Sequence, residues 1–253
     1  MDVDICNNLG RLPPDLDTIY AELYGILSEK PGEMEKKVFR DVFSWLLCAR
    51  LTLKTSEFLE AVSVPTEGND SRIRVTKELV LKICGGLVVF DAELNTFRFA
   101  HLSVREFLER RQEYTTMATN ALIAVNSLRR LMSANIPSEV DRLLSRDGLY
   151  PNPDLPGHDG SIGYSYIHWS LHCKLAGHRR ISGDLKETFQ RFILSADSPS
   201  SPIRSWLDTL PRVLNDRFYF TGNEVKLHDI MTTSGSTASR ILFLACVFDF
   251  LKY

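Results

Sequence analysis

The chain has 253 residues, enough for one large domain or two ordinary ones. At 44% hydrophobic and 25% charged residues it has the make-up of a globular protein with a sizeable core, not of a disordered tail. Its net charge of -2 and pI near 6.3 exclude a global electrostatic pull toward nucleic acid or anionic membrane, though not a local basic face.

In chain order, Leu16, Tyr20, Leu23 and Ile26–Leu27 recur at helical spacing, with Asp15 as a plausible cap after Pro13–Pro14. Val38, Phe39, Val42, Phe43, Trp45, Leu46 and Leu47 predict a second, strongly apolar helix. Thr55 is placed to cap a third, with Ser56, Glu57 and Glu60 at its start and Phe58, Leu59 and Val62 facing inward. A fourth runs from about Thr76 through Ile83 and stops at Gly85–Gly86.

Leu87-Val-Val-Phe then reads as a strand, Asp91-Ala-Glu-Leu-Asn-Thr as a hairpin loop, and Phe97-Arg-Phe-Ala as the half-buried return strand. Ser103 is placed to cap a last helix over Val104 to Arg111, with Glu106 completing a capping box. Arg110–Arg111 reads as a helix C-terminus complementing its dipole. Helix, helix, helix, hairpin is the winged-helix order. The predicted fold is therefore mainly α: a winged helix, made of helices plus one β-hairpin, followed by a helical extension. Trp45, Leu46, Leu79, Ile83, Val88, Phe99 and Phe107 are expected in one core.

The expected divisions are a helical lead-in over 1–37, the winged helix over 38–112, a helical connector over 113–147, a Pro- and Gly-rich linker over 148–163, a helical region over 164–237 and a last helix over 238–253. Ser195 to Pro202 and Thr232 to Thr237 read as further loops. The five cysteines, Cys6, Cys48, Cys84, Cys173 and Cys246, are scattered and form no C-x-x-C pair. That pattern argues against a disulfide framework or a structural zinc site; Cys48 and Cys84 read as small core residues. Met1 to Asn8 has no secretory signal character, and the longest apolar run, Ile241 to Phe248, is far short of the roughly 20 residues that span a bilayer. An intracellular, cytoplasmic setting is expected.

Four segments carry a resemblance: Leu12-Pro-Pro-Asp-Leu-Asp-Thr-Ile-Tyr, Phe43-Ser-Trp-Leu-Leu-Cys-Ala-Arg, Ile83-Cys-Gly-Gly-Leu-Val-Val and Phe99-Ala-His-Leu-Ser-Val-Arg-Glu-Phe-Leu. In order and spacing they resemble the region after the NACHT NTPase domain of fungal NACHT–ankyrin proteins, a winged helix of the GPI inositol-deacylase type. The deacylase name is inherited from one host protein and implies no lipase activity. Tyr164-x-x-x-His168-Trp169-x-x-His172 resembles the aromatic helix that follows, with His168 where Tyr is usual. Ser239-Arg-Ile-Leu-Phe-Leu-Ala-Cys-Val-Phe-Asp resembles the first helix of an ankyrin array, but Ile241 stands where Pro is usual and Asp249 where Gly is usual.

The resemblance implies a non-catalytic regulatory and protein-interaction region of a signalling NTPase of the STAND class, lacking the nucleotide-binding domain and cut from a longer protein. Its implied partners are a NACHT domain, in cis or in trans, and proteins bound through ankyrin repeats. No G-x-x-x-x-G-K-[ST] phosphate loop occurs, so no cofactor is expected. His101, which ends the wing strand, matches the His of a similar motif in animal Nod-like receptors that contacts the β-phosphate of bound ADP. An imidazole suits that task because it donates to an anion. The bland alternative is a His that packs at a strand–helix junction.

Other constellations point to rival functions. His168 and His172 have the i, i+4 spacing of a metal pair, but no Glu lies between them and Tyr164, Tyr166, Ile167 and Trp169 read as packing, so no metal is expected. Arg72, Arg74, Lys77 and Lys82 surround the helix that reads DNA in winged-helix transcription factors, and Asp70 and Glu78 dilute that charge. A DNA-binding winged helix is thus the first alternative, with nucleic acid disfavoured as a partner. A degenerate hydrolase built on His158, Asp159 and Ser161 is the second; no G-x-S-x-G elbow supports it.

Overall fold

Two helices, α1 (Leu16–Glu29) and α2 (Glu33–Cys48), open the computed structural model, which describes residues 16–29, 32–63, 75–133, 160–194, 201–215 and 236–248. On α2, Val38, Phe39, Val42, Phe43 and Trp45 are all at most 2% exposed. Such a broad buried face marks a core helix rather than a surface one. Asp15, the proposed cap of α1, lies outside the described residues, as do the 134–159 stretch and Thr232–Gly235.

A short α3 (Thr55–Ala61) follows. The expectation that Thr55 caps it is corrected: Thr55 is its first helical residue and Lys54 stands at the cap. The Lys54 amide donates to the Glu57 carboxylate at 2.8 Å. The Thr55 hydroxyl is drawn instead to the hairpin, donating to Asn95 at the carbonyl (2.9 Å) and at Oδ1 (2.7 Å). Helix α4 (Lys77–Cys84) has the predicted bounds within a residue; the Thr76 hydroxyl accepts from the Leu79 amide at 3.2 Å, and Gly85 closes the helix at φ 52°.

Strands β1 (Val88–Asp91) and β2 (Thr96–Phe99) pair antiparallel with Val88 opposite Phe99. Asp91 Oδ1 accepts from the Leu94 amide at 3.0 Å, and Asn95 takes a positive φ that Asn tolerates. Helix α5 (Leu102–Glu109) completes the winged helix. Of the seven expected core residues, Trp45, Ile83, Val88 and Phe107 are buried in one cluster. Leu46, Leu79 and Phe99 are only partly buried and pack against it.

The extension begins with a 3-10 turn at Gln112–Tyr114 and α6 (Thr116–Ser133). Helix α7 (Gly160–Leu175) opens inside the stretch expected to be linker. A 3-10 turn at Gly177–Ile181, α8 (Gly183–Leu194), α9 (Pro202–Asn215) and α10 (Thr237–Val247) follow. A second core gathers Tyr166, Ile167, Trp169, Phe192, Trp206, Leu207, Leu244 and Phe248. Helix α6 serves both cores: Ile123 points into the first, while Ala124, Val125, Leu128 and Leu131 belong to the second. Tyr164 of α7 crosses the other way and joins the first core, its ring edge-on to Trp45 at 5.1 Å.

Candidate functional site

His101 stands where β2 gives way to α5, in extended backbone at φ -148°, ψ 155°. The sequence expectation put the cap at Ser103 with Glu106 reaching back; the helix in fact starts at Leu102, and His101 itself is the cap. Its Nδ1 accepts from the Ser103 amide at 3.2 Å and lies 2.7 Å from Ser103 Oγ. Ser103 Oγ is in turn 2.7 Å from the Tyr20 hydroxyl. The directions follow from the first bond. Since Nδ1 accepts, the ring proton sits on Nε2, Ser103 donates to Nδ1, and Tyr20 donates to Ser103. The exposed ring therefore presents an Nε2–H donor outward.

Helix α1 holds this arrangement in place. Tyr20 lies 5.7 Å from the Phe107 ring, Arg110 pairs with Asp17, and the Arg111 guanidinium sits 4.0 Å over the Tyr24 ring. Arg110 stands at the C-cap of α5, where a helix end was expected, and the two arginines make further contacts. Both side chains fold onto α1, and Arg111 also pairs with Glu113 at 2.6 Å. Leu102, beside His101, is 64% exposed.

The His168–His172 pair has a different surrounding. His172 is fully buried: Nε2 lies 2.7 Å from the Tyr164 hydroxyl and Nδ1 2.6 Å from Asn120 Oδ1. The Asn120 oxygen can only accept, so Nδ1 carries the proton and Tyr164 donates to Nε2. Tyr164 also accepts from the Arg50 amide at 2.9 Å, and the Asn120 amide donates to the Thr116 carbonyl at 2.7 Å. Burial, then His168 and Arg50, push His172 down to about 3, so it is neutral near pH 7. His168, also buried, has its ring 4.6 Å from that of Tyr164 and tilted to it. Among the described residues no group of three or more His, Cys, Asp or Glu could hold a metal ion. Asn120 was not singled out in the sequence; its only signal there is an amide inside an otherwise apolar helical stretch.

The remaining candidates are not brought together. Lys77 lies 4.6 Å over the Phe90 ring, so its charge is held against the wing, while Glu78 and Lys82 are exposed on α4. Asp70, Arg72, Arg74, His158 and Asp159 lie outside the described residues; Ser161 falls in the first turn of α7. Cys84 and Cys173 are buried and Cys48 half-buried, its sulfur 2.8 Å from the Thr119 hydroxyl. No helix among the described residues is long and apolar enough to cross a membrane.

Comparison with known proteins adds one match. Residues 29–129 fit the family described as "GPI inositol-deacylase, winged helix domain". Comparisons with curated proteins and with solved structures returned no match. The matched span reaches past the expected 38–112 at both ends, taking in the start of α2 and most of α6, whose Ile123 sits in the first core. The chain therefore carries a winged-helix domain of the GPI inositol-deacylase type over residues 29–129.

Proposed function

We propose that the chain is a non-catalytic regulatory and protein-interaction region that works with a NACHT-type NTPase domain, supplied in cis or in trans, as in the fungal NACHT–ankyrin proteins it resembles. The observation that supports this most is His101, whose outward Nε2–H is held by Ser103 and Tyr20 beside an exposed Leu102. A donor fixed in this way suits a phosphate oxygen on a docked domain. In this reading His101 holds the β-phosphate of ADP and keeps the paired NTPase inactive, and α10 leads into ankyrin repeats that bind further proteins.

The test joins a NACHT domain to this chain and measures ADP release. One charge-assisted hydrogen bond is worth about 1.5–3 kcal/mol. His101→Ala should therefore speed ADP release by roughly ten- to a hundred-fold and favour self-association. The chain alone should not hydrolyse ATP or GTP. Unchanged release rates would reduce His101 to a helix cap, and hydrolysis by the isolated chain would remove the non-catalytic reading.

A further inference from the structure

On α1, Leu16, Ile19, Leu23 and Ile26 recur at spacings of three, four and three residues. That is the a and d pattern of a helix that packs along a second helix. Leu23, at the inner edge of this seam, is partly buried against the first core. The other three face outward: Leu16 is 54% exposed, Ile19 37% and Ile26 49%. Single apolar side chains on a surface are ordinary, but three along one stripe of one helix make a contact surface.

The two sides of the seam differ. In heptad terms the e positions are Tyr20 and Leu27, and both are turned to the body of the winged helix. The Tyr20 hydroxyl lies 2.7 Å from Ser103 Oγ, and Leu27 lies against Gly85 at the end of α4. The g positions are Glu22 and Glu29, both exposed. Residues at e and g border the seam and select its partner by charge. Helix α1 carries Asp17, Glu22 and Glu29 and no Lys or Arg, and Asp17 is already paired with Arg110. Two copies of α1 laid antiparallel would set one acidic border against the other. Laid parallel, they would need the e side that the body already covers. A helix bordered by Lys or Arg meets neither obstacle.

We propose that the outer face of α1 is a docking surface for an amphipathic helix of another protein, one whose apolar stripe is bordered by Lys or Arg. Leu16, Ile19 and Ile26 supply the apolar contact, and Glu22 and Glu29 pair with the basic border. The contact requires neither a nucleotide nor an NTPase domain, so it is separate from the role given to His101.

The probe is a fluorescein-labelled helical peptide with Leu at every a and d position and Lys at every e and g, titrated with the full chain by fluorescence anisotropy. A second peptide has Glu in place of each Lys. The Lys peptide should bind saturably and at least about tenfold more tightly than the Glu peptide. Ile19→Asp and Ile26→Asp should each weaken it by about tenfold. Each adds a negative charge, so a merely electrostatic attraction to Lys would rise instead. The double variant Glu22→Lys, Glu29→Lys should reverse the preference and take the Glu peptide. Leu242→Asp, a comparably exposed change on α10, should alter nothing; a circular-dichroism melt on each variant establishes that it is folded. Equal affinity for the two peptides, no loss in Ile19→Asp and Ile26→Asp, or an equal loss in Leu242→Asp would overturn the proposal. So would a dimer of the chain in sedimentation equilibrium that Ile19→Asp dissociates, because the seam would then serve a second copy.

Discussion

The Tyr164 hydroxyl donates to His172 Nε2 at 2.7 Å within α7, and from there the two side chains reach to other elements. Tyr164 takes the Arg50 amide from the segment that follows α2, and His172 passes its own proton to Asn120 on α6. The segment after α2, α7 and α6 thus share one chain of hydrogen bonds that ends on the Thr116 carbonyl. A fully satisfied buried network of this kind fixes a unique packing, and breaking one member leaves its neighbours without partners.

His172→Phe keeps a flat ring and removes both bonds. The Tyr164 hydroxyl proton and Asn120 Oδ1 are then left buried without a partner, so the expected loss is about 2–4 kcal/mol in urea unfolding. A loss below about 1 kcal/mol would mean that the chain of bonds contributes packing alone.

The same residue sets a pH dependence. Folding pushes His172 down to about 3 from an ordinary value near 6.5. The unfolded chain therefore binds the proton first as pH falls. The stability associated with a neutral His172 is complete above about pH 6.5 and is lost on the way down toward pH 3, at roughly 1 kcal/mol per pH unit. Unfolding free energies between pH 7 and pH 4 should show this slope in the wild type and lack it in His172→Phe. Equal slopes in both proteins would assign the acid sensitivity to other groups.

Trp45 packs 2% exposed in the first core with its ring edge-on to Tyr164. Trp45→Ala should cost about 3–5 kcal/mol and alter the near-ultraviolet circular dichroism of the aromatic cluster. A cost near zero is incompatible with the core described above.

Gly85 is required twice over. It ends α4 at φ 52°, and a Cβ there would lie 2.6 and 2.8 Å from the two methyl carbons of Leu27 on α1. The backbone part alone costs about 1–2 kcal/mol for Gly85→Ala. The steric part falls on a flexible side-chain end, so Leu27→Ala should remove it. A double variant showing strict additivity would show that Leu27 is not what the new methyl meets.

Local patterns in the sequence were sufficient for the winged helix. The apolar run from Val38 to Leu47, the Thr76 and Gly85 boundaries of α4 and the alternation around Val88 and Phe99 each follow from interactions within a few residues, and the helix-helix-helix-hairpin order follows from them. Where competing partners lie far apart in the chain, local reading failed. Thr55 bonds Asn95 instead of capping its helix, His101 is the cap while the Ser103 hydroxyl bonds Tyr20, and Arg110 meets Asp17 across 93 residues. Periodicity could not separate a metal pair from a packed one at His168 and His172; Asn120, 52 residues before His172, decides the environment of its ring. Asp41 of α2 likewise is buried only where α2 meets Asn126 of α6, and burial of a charge is a property of that meeting, not of any segment alone.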